Sequence, residues 1–444
     1  SLVDVQVVEQ SNFAINIYIG NGQSLVTDAE SQQLSVMPNP YDSSQMDIGY
    51  ANGSSLVNVT SLLTGGRLGG LIEQRTGIIA PSENSLGRIA VALADTFNRQ
   101  HRLGMDLGSA LGGDFFAVGA PEVLASSNNI SSASISATIT DPNLLSNSDY
   151  RLSYDGSAYT LVRLSDGQGE GPFTGMPFTS ADGFSVDVAG GPPAAGDSYL
   201  IRPARGMARS LELLIDDTAK IAAAAPVRVG SDLANSGNGR VALTAVSDTS
   251  GAEFSSSPGA LTPPLLVEFD PVTPNQYRIY DNSNPGAPVL IAGPASYDPA
   301  TGMDVVADNG LGYGYELRIE GEPGLGDRFT AEYNSQGTGD NSNMLALAEL
   351  QTSNSMLKGT ASFLDAYAGI ITDVGTRTYQ ADVANRAQQA LLRQAVDARE
   401  AVSGVNLDEE AANMMRFQQA YQASAQVISA AQGMFDALLG AVRR

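Results

Sequence analysis

The chain of 444 residues has no cysteine, no tryptophan and one histidine, His101. Disulfides and thiolate metal sites are therefore excluded. Nucleophile–histidine catalysis would have to run through His101, which lies in Asn98-Arg-Gln-His-Arg-Leu103 near the end of an expected helix and reads as a surface or C-capping residue. No run approaches the roughly 18 continuous apolar residues of a membrane span. The first residues, Ser1-Leu-Val-Asp-Val-Gln-Val-Val, lack the basic start and cleavage pattern of a signal peptide. They alternate like a strand, so the chain is expected to be a fragment that begins inside structure. Charge is sparse and one-sided: 16% of residues are charged, with 24 Lys+Arg against 48 Asp+Glu, a net charge of −24 and a pI near 4.2. Such a surface repels nucleic acid and anionic lipid, and neither nucleic-acid binding nor membrane insertion is expected. Proline is absent after Pro323, although 21 precede or include it. The Ala-, Gln- and Leu-rich remainder is helical in composition.

The hydrophobic share, 43%, is enough for real cores, and the length suits roughly three domains. Residues 1 to about 60 read as short strands, with Val3, Val5 and Val7 alternating, then Phe13, Ile15, Ile17 and Ile19, and a turn at Asn21-Gly22. From Leu62 to Leu103 the period becomes helical. Leu86, Ile89, Ala90, Leu93 and Phe97 share a face, and Pro81-Ser82 marks an expected break between two helices.

From Pro121 to Arg205 the chain reads as a small antiparallel β-domain. Tyr150, Leu152 and Tyr154 alternate, Asp155-Gly156 turns, and Tyr159 and Leu161 return. A weak internal repeat follows. Asp149–Asp155 resembles Gln276–Asp281, Ala181–Val186 resembles Ala300–Val305, and Pro193–Tyr199 resembles Pro323–Phe329. Generic turn chemistry is the plain alternative. Between the copies, Ser210–Val227 reads as a strand and a helical stub, and residues 228–260 as a linker that leads into strands.

The tail has two helical segments. The first is expected over Ser353–Val402. Ser403-Gly404 breaks it. The second carries Leu407, Met414, Tyr421, Ile428, Phe435 and Val442 at seven-residue intervals, with Phe417, Ala420, Val427, Ala431, Met434 and Leu438 as a second row. Asn406 with Glu409 has capping-box spacing. Acidic residues 408–410 at the start and Arg443 and Arg444 at the end suit the helix dipole. An apolar stripe this wide, at the end of a chain, points to docking.

Chemistry-bearing motifs are weak elsewhere. Asp106–Asp114 lacks the alternating ligands and closing Glu of a calcium loop and reads as a solvated loop. Gly310-Leu-Gly-Tyr-Gly314 has neither the Lys nor the following helix of a nucleotide loop. Asn58-Val-Thr60 and Asn129-Ile-Ser131 match a glycosylation pattern that chance often produces. No catalytic, cofactor or metal residue is assigned. The expected class is α+β and multidomain, with long coiled-coil-type helices at the C-terminus and a strand/helix rod domain into which two antiparallel β-domains are inserted. The divisions are 1–120 (rod, completed by 336–402), 121–227 and 228–335 (β-domains), and 403–444 (terminal helix).

Ser403-Gly-Val-Asn-Leu-Asp-Glu-Glu-Ala-Ala-Asn413, Arg416-Phe-Gln-Gln-Ala-Tyr-Gln-Ala-Ser-Ala-Gln-Val-Ile428 and Phe435-Asp-Ala-Leu-Leu439 together resemble the C-terminal signature of bacterial flagellar axial proteins. The wording is most similar to the hook-associated protein 1 family. Gly66–Arg75, Asp114-Phe-Phe116 and Ser362–Gly375 are similar to that family too, whereas the β-rich middle carries little of the likeness. The resemblance implies a non-enzymatic structural subunit, exported unfolded through the flagellar secretion channel to the outside of the cell. It implies a ring of copies between the hook protein and a second junction protein, hook-associated protein 3, and an export chaperone bound to the C-terminal region. It implies that the terminal helix pairs with an N-terminal helix absent from this chain, so residues 405–444 are expected to be its least secure part. The assembly residues would be Leu407, Met414, Phe417, Tyr421, Ile428, Phe435, Leu438 and Leu439, with Asn406 and Glu409 capping. A secreted adhesin with ligand-binding β-domains is the alternative, and a cell-wall hydrolase the weakest reading.

Overall fold

The computed structural model describes residues 2–11, 14–28, 30–52, 55–257, 259–335, 337–403 and 407–442. The chain divides into two compact units, residues 1–374 and 375–444. Seven short strands open the first unit: β1 Gln6–Glu9, β2 Ile15–Ile19, β3 Gln23–Thr27, β4 Glu30–Ser31, β5 Leu34–Pro38, β6 Met46–Asn52 and β7 Ser55–Asn58. They form two antiparallel sheets, β1–β4 and β5–β7, each in sequence order. Gly22, at φ +102°, turns β2 into β3, a conformation that costs glycine little.

The expected break at Pro81 is not a break. Helix α1 (Gly66–Glu73) passes through a six-residue π segment, Gln74–Ile79, directly into α2 (Ala80–Arg102). Proline has no N–H to donate, and its ring presses on the carbonyl four residues back, here Gly77. Wider π turns accommodate such a mismatch without ending the helix. The buried face of α2 also differs from the expected one. Leu86 is exposed, whereas Asn84, Gly87, Ala90, Ala94, Asn98 and His101 are buried. Small residues on this face allow close approach. A Cβ on Gly87 would lie 1.7 Å from the carbonyl oxygen of Ala204.

After β8 (Phe116–Ala117) come eight strands: β9 Glu122–Ala125, β10 Ser134–Ile139, β11 Tyr150–Tyr154, β12 Tyr159–Arg163, β13 Gly169–Phe173, β14 Phe178–Thr179, β15 Phe184–Gly190 and β16 Ser198–Arg202. They make a five-stranded sheet, β13-β12-β11-β16-β9, and a three-stranded one, β10-β15-β14. Within the five-stranded sheet, Leu152 pairs with Leu161 and Tyr154 with Tyr159 across the β11–β12 hairpin. Asp155 Oδ1 accepts the N–H groups of Ser157 and Ala158 at its turn. Tyr150, Leu152, Leu161, Phe184, Val186 and Ile201 fill the core.

After β17 (Glu212–Leu213) the arrangement recurs. Strands β18 Val227–Ser231, β19 Arg240–Val246, β20 Leu265–Phe269, β21 Gln276–Asp281, β22 Val289–Ser296, β23 Met303–Asp304, β24 Tyr315–Glu320 and β25 Arg328–Tyr333 form sheets β18-β25-β20-β21-β22 and β19-β24-β23. A one-turn helix, α3 (Ala252–Ser255), lies between β19 and β20. Strand for strand, this is the order of the preceding module. The residues that sequence comparison aligns coincide at only one of three places. Pro193–Tyr199 and Pro323–Phe329 both lead into the same strand position, β16 and β25. Asp149–Asp155 falls on β11, whereas Gln276–Asp281 falls on β21, the counterpart of β12. Ala181–Val186 leads into β15, whereas Ala300–Val305 leads into β23, the counterpart of β14. The two false matches share only hairpin alternation and a glycine of positive φ, Gly183 or Gly302.

The true match has a physical basis. Asp197 accepts N–H groups from Ile130 and Ala194 and the Ser131 hydroxyl, and Asp327 accepts those of Ser236, Gly237 and Gly324. Asn129 in turn donates to the carbonyl of Ser198 and accepts its N–H, and Asn235 does the same with Arg328. Each buried aspartate thus pins the first interstrand loop of its module. Both carboxyls lie below their ordinary range, burial opposing and the donated hydrogen bonds prevailing. Asp327→Ala leaves three N–H groups without their acceptor. The second module is expected to lose about 3 kcal/mol, read as an earlier urea transition by circular dichroism. An unshifted transition would show the loop to be held by other contacts.

Between the modules, the only strand residues of Ser210–Val227 are Glu212, Leu213 and Val227, the last of which opens β18, and Thr218–Lys220 is a single 3-10 turn. The expected helical stub is instead extended. Pro226 disfavours helix before it, and Ala224 exchanges backbone hydrogen bonds with Met105. Residues 228–231, expected as the start of a linker, belong to β18, which pairs fully with β25. After α4 (Ser342–Glu349), helix α5 runs Phe363–Ser403 and α6 runs Leu407–Val442. The first long helix starts ten residues later than expected. Leu357, Lys358 and Gly359 take positive φ, which no helix tolerates, and Ser362 and Asp365 then form a reciprocal capping box.

Candidate assembly surface

From Leu407 to Leu439 the expected assembly residues lie on one uninterrupted helix of 36 residues, about 54 Å long at the α-helical rise. Met414, Phe417, Tyr421, Ile428, Phe435, Leu438 and Leu439 are all exposed, Phe417 at 72% and Tyr421 at 78%. Val427 and Met434 of the second row are exposed as well. Every side chain described on α6 other than Asn413 is open to solvent. Leu407 begins the helix, and its side chain lies outside the described residues, as does Asn406. Glu409 stands in the first turn with Asp408 and Glu410, where negative charge complements the helix dipole.

On α5 the picture changes along its length. Phe363, Ala366, Ile370 and Val374, at steps of three and four, are half-buried in the first unit. Farther on, Tyr379, Val383, Leu391 and Leu392 are exposed. A row of large apolar groups on a solvated helix stabilises nothing by itself. Burial of each would contribute roughly 1.5–3 kcal/mol.

His101 is not at the surface. It is fully buried, its ring packed edge-on against Phe115. Its Nε2 accepts the Ala222 N–H at 2.9 Å and its Nδ1 lies 2.8 Å from the Gly113 carbonyl. The proton therefore sits on Nδ1, and neither nitrogen is left for catalysis. The loop at Asp106–Asp114 is partly built in. Asp106 Oδ1 accepts the Ala110 N–H, and a Cβ on Gly112 would lie 2.0 Å from the His101 carbonyl oxygen. Among the described residues no group of three or more His, Asp or Glu could hold a metal ion. No described helix is long and apolar enough to cross a membrane. Asn58 donates to Asp47, and Asn129 is committed to Ser198.

A buried charge network, which no sequence pattern announced, joins the opening strands, α2 and the first module. Arg202, at the end of β16, donates to Glu122 on β9 at 2.9 Å and to Asp42 at 3.0 Å. Arg205 reaches Asp149 at 2.8 Å, and Asn84 on α2 donates to the same carboxylate at 2.9 Å. Burial pushes the Asp149 carboxyl above its ordinary value, against the pull of Arg205, Asn84 and Arg202. The Ser44 hydroxyl and Arg202 hold Asp42 below its own. Beside this network opens a cleft of about 870 Å³, walled by the β5–β6 connection, β6, β7, the Ile72–Asn84 stretch of helix and the first module.

Family models describe three stretches of the chain. Residues 1–116 match the helical domain of flagellar hook-associated protein FlgK, residues 124–203 the D2-like domain of flagellar hook-associated protein 1, and residues 400–441 the C-terminal region of the flagellar basal body rod FlgEFG proteins. Flagellar hook-associated protein 1 of Escherichia coli (strain K12) is 27% identical over 99% of this chain and 61% of its own length. That of Bacillus subtilis (strain 168) is 34% identical over 22% of this chain and 20% of its own length. The chain thus spans about 61% of the length of the E. coli relative. The solved flagellar hook junction protein FlgK of Burkholderia pseudomallei superposes with a TM-score of 0.75 at 31% identity, covering 90% of this chain and 76% of that one. With its antiparallel sheets, C-terminal helices and this measure of shared sequence, the chain belongs to the flagellar hook-associated protein 1 family.

Proposed function

We propose that the chain is the structural subunit that joins hook to filament, outside the cell, and that copies assemble through the apolar faces of their C-terminal helices. The observation that carries this reading is the row of exposed apolar side chains along α6, from Met414 to Leu439. A helix so equipped is stable in water only at the cost of exposed hydrophobic area, and packing along another helix removes that cost. Met414, Phe417, Tyr421, Ile428, Phe435, Leu438 and Leu439 form the seam in this proposal, with Leu407 at its start and Asn406 and Glu409 capping. Residues 403–444 line the inner tube, and residues 1–120 with 336–402 form the rod-like layer. The modules of 121–227 and 228–335 face outward. The hook protein and the second junction protein, hook-associated protein 3, are the axial neighbours, and an export chaperone holds the tail before assembly. The charge of −24 supports late assembly, since free subunits repel one another until apolar faces meet. No step of chemistry is assigned, and His101 serves the fold. An adhesin would have no use for the α6 row.

Immunogold labelling of native flagella with antibody against residues 227–333 is expected to mark a narrow band where hook meets filament. Label spread along the filament or confined to the cell body would overturn the assignment.

A further inference from the structure

Each β-module ends in a strand that could pair with another chain. In the five-stranded sheets, β13 and β22 have a neighbour on one side only among the described residues. The opposite edges, β9 and β18, lie against β10 and β19 of the second sheet in their modules. Those second sheets end at β14 and β23, two residues each, too short to template a further strand. The β22 edge is different. It is eight residues long, Val289-Leu-Ile-Ala-Gly-Pro-Ala-Ser296, and carries no charge. Val289 and Leu290 are at least half exposed. A long, uncharged, apolar edge is a site for pairing between chains.

Both edges carry the same interruption. In β13, Phe173 pairs with Tyr159 and Glu170 with Leu161, so Gly171 and Pro172 together face Thr160. In β22, Ala295 pairs with Tyr277 and Ala292 with Ile279, so Gly293 and Pro294 together face Arg278. Two residues against one make a β-bulge, which bends the strand and breaks its ladder. Proline, in addition, brings no N–H to the edge. The two glycines take φ +108° and +98°, and a Cβ on either would lie 2.8 Å from a carbonyl oxygen of the facing strand, that of Tyr159 or Tyr277. Glycine alone tolerates such a position. All four residues are exposed, so neither pair serves the core of its module. The chain has three Gly-Pro pairs, and two of them hold the same strand position in modules whose hairpins otherwise diverge. In the longer strand a second register shift, at Ile291, adds to the bend.

We infer that the Gly-Pro bulge is an edge guard, which keeps the β-modules of adjacent copies from joining strand to strand. In an assembly that holds these modules side by side, an open β22 would meet another β22 at high effective concentration. Pairing of the two would fuse separate modules into one sheet and start aggregation. With the edge bent and one N–H missing, each module stays a body of its own, and contact between copies is left to other surfaces. The wider role rests on the reading that copies assemble. The guard itself acts on any two copies that meet, assembled or free.

The test straightens the edge in the whole chain. One variant deletes Gly293 and carries Pro294→Thr, which restores one-to-one pairing and a full set of N–H groups. A second, Pro294→Thr alone, restores the N–H and keeps the bulge. Circular dichroism verifies folding, sedimentation reads association over a concentration series, and hydrogen exchange of residues 289–296 shows whether copies meet there. The straightened variant is expected to associate at a roughly ten-fold lower concentration than the parent, the change that one or two added backbone hydrogen bonds give. Its N–H groups over 289–296 should gain protection as concentration rises. Pro294→Thr should move the same way by less. Adding Val289→Lys to the straightened variant should return it to the behaviour of the parent, because charge on an edge opposes pairing. A folded straightened variant with unchanged association, or with protection gained only outside 289–296, overturns the guard and leaves the assembly reading standing. If neither variant folds, the bulge is a requirement of the hairpin, and the guard is overturned as well. A missing immunogold band, by contrast, counts against the assembly reading without touching the guard.

Discussion

Ending the protein at Ser403 is expected to leave residues 1–374 folded and to abolish attachment of the filament. The two halves of this expectation rest on different observations. All the described side chains of α6 but Asn413 are exposed, so their removal takes nothing from either β core. Loss of surface groups remote from a core changes stability by about 0.5 kcal/mol or less. Thermal transitions of the β modules should coincide in the truncated and untruncated chains. Assembly is another matter. Burying Met414, Phe417, Tyr421, Ile428 and Phe435 against neighbouring helices is worth on the order of 10 kcal/mol in gross terms, before the cost of association. Removing that much leaves no room for weak residual incorporation. A milder variant separates chemistry from length. Phe417→Ser with Tyr421→Ser and Phe435→Ser keeps the helix and its polar face, and should fail to assemble as completely as the truncation. Motility assays and electron microscopy of the mutant cells read both. Normal swimming in the truncated strain would sink the inner-tube role of α6.

The α6 helix is legible because its signal is periodic and local. Seven-residue spacing, a proline-free tail and acidic residues at the helix start all act over a few turns. Hairpin β11–β12 was legible for a similar reason, since alternation and an Asp-Gly turn specify it without help from distant residues. Two of the misreadings, on α2 and at Lys220–Ala225, involve contacts far apart in sequence. On α2, Leu86, Ile89 and Leu93 have the spacing of a core face, but the helix turns its small residues inward because the backbone at Ala204 comes so close to Gly87. Lys220–Ala225 has helical composition, yet its N–H and carbonyl groups are taken by Met105, His101 and Asn343. The repeat was sensed from the right segment at Asp197 and Asp327, where a carboxylate pinning a loop leaves a Gly-Asp-x-aromatic trace. Elsewhere two diverged hairpins offered several equally plausible registers. Arg202, Arg205 and Asp149 drew no notice because an ion pair between residues fifty apart has no spacing rule.

His101→Ala is expected to be among the most damaging single substitutions in the first unit, costing about 4 kcal/mol. Three losses add to this figure. The Ala222 N–H and the Gly113 carbonyl, both facing a fully buried ring, lose their partners, at roughly 1–3 kcal/mol each. The packing of the ring on Phe115 is replaced by a cavity, which costs more than the lost contact alone. The position also has no slack. The Gly112 backbone lies against the His101 carbonyl, and Asn343 of α4 bonds both Gln100 and the Ala222 carbonyl. The residue thus fastens the end of α2 to the strand that enters the second module and to α4. His101→Phe retains an aromatic ring but neither hydrogen bond, so it should recover only the packing share of the loss. Arg99→Ala, on the exposed side of the same turn, should change stability by about 0.5 kcal/mol or less. Urea unfolding followed by circular dichroism ranks the three. If His101→Ala unfolds with Arg99→Ala, the ring is a passenger in this junction. If His101→Phe matches the parent chain, packing alone holds it and the two hydrogen bonds contribute nothing.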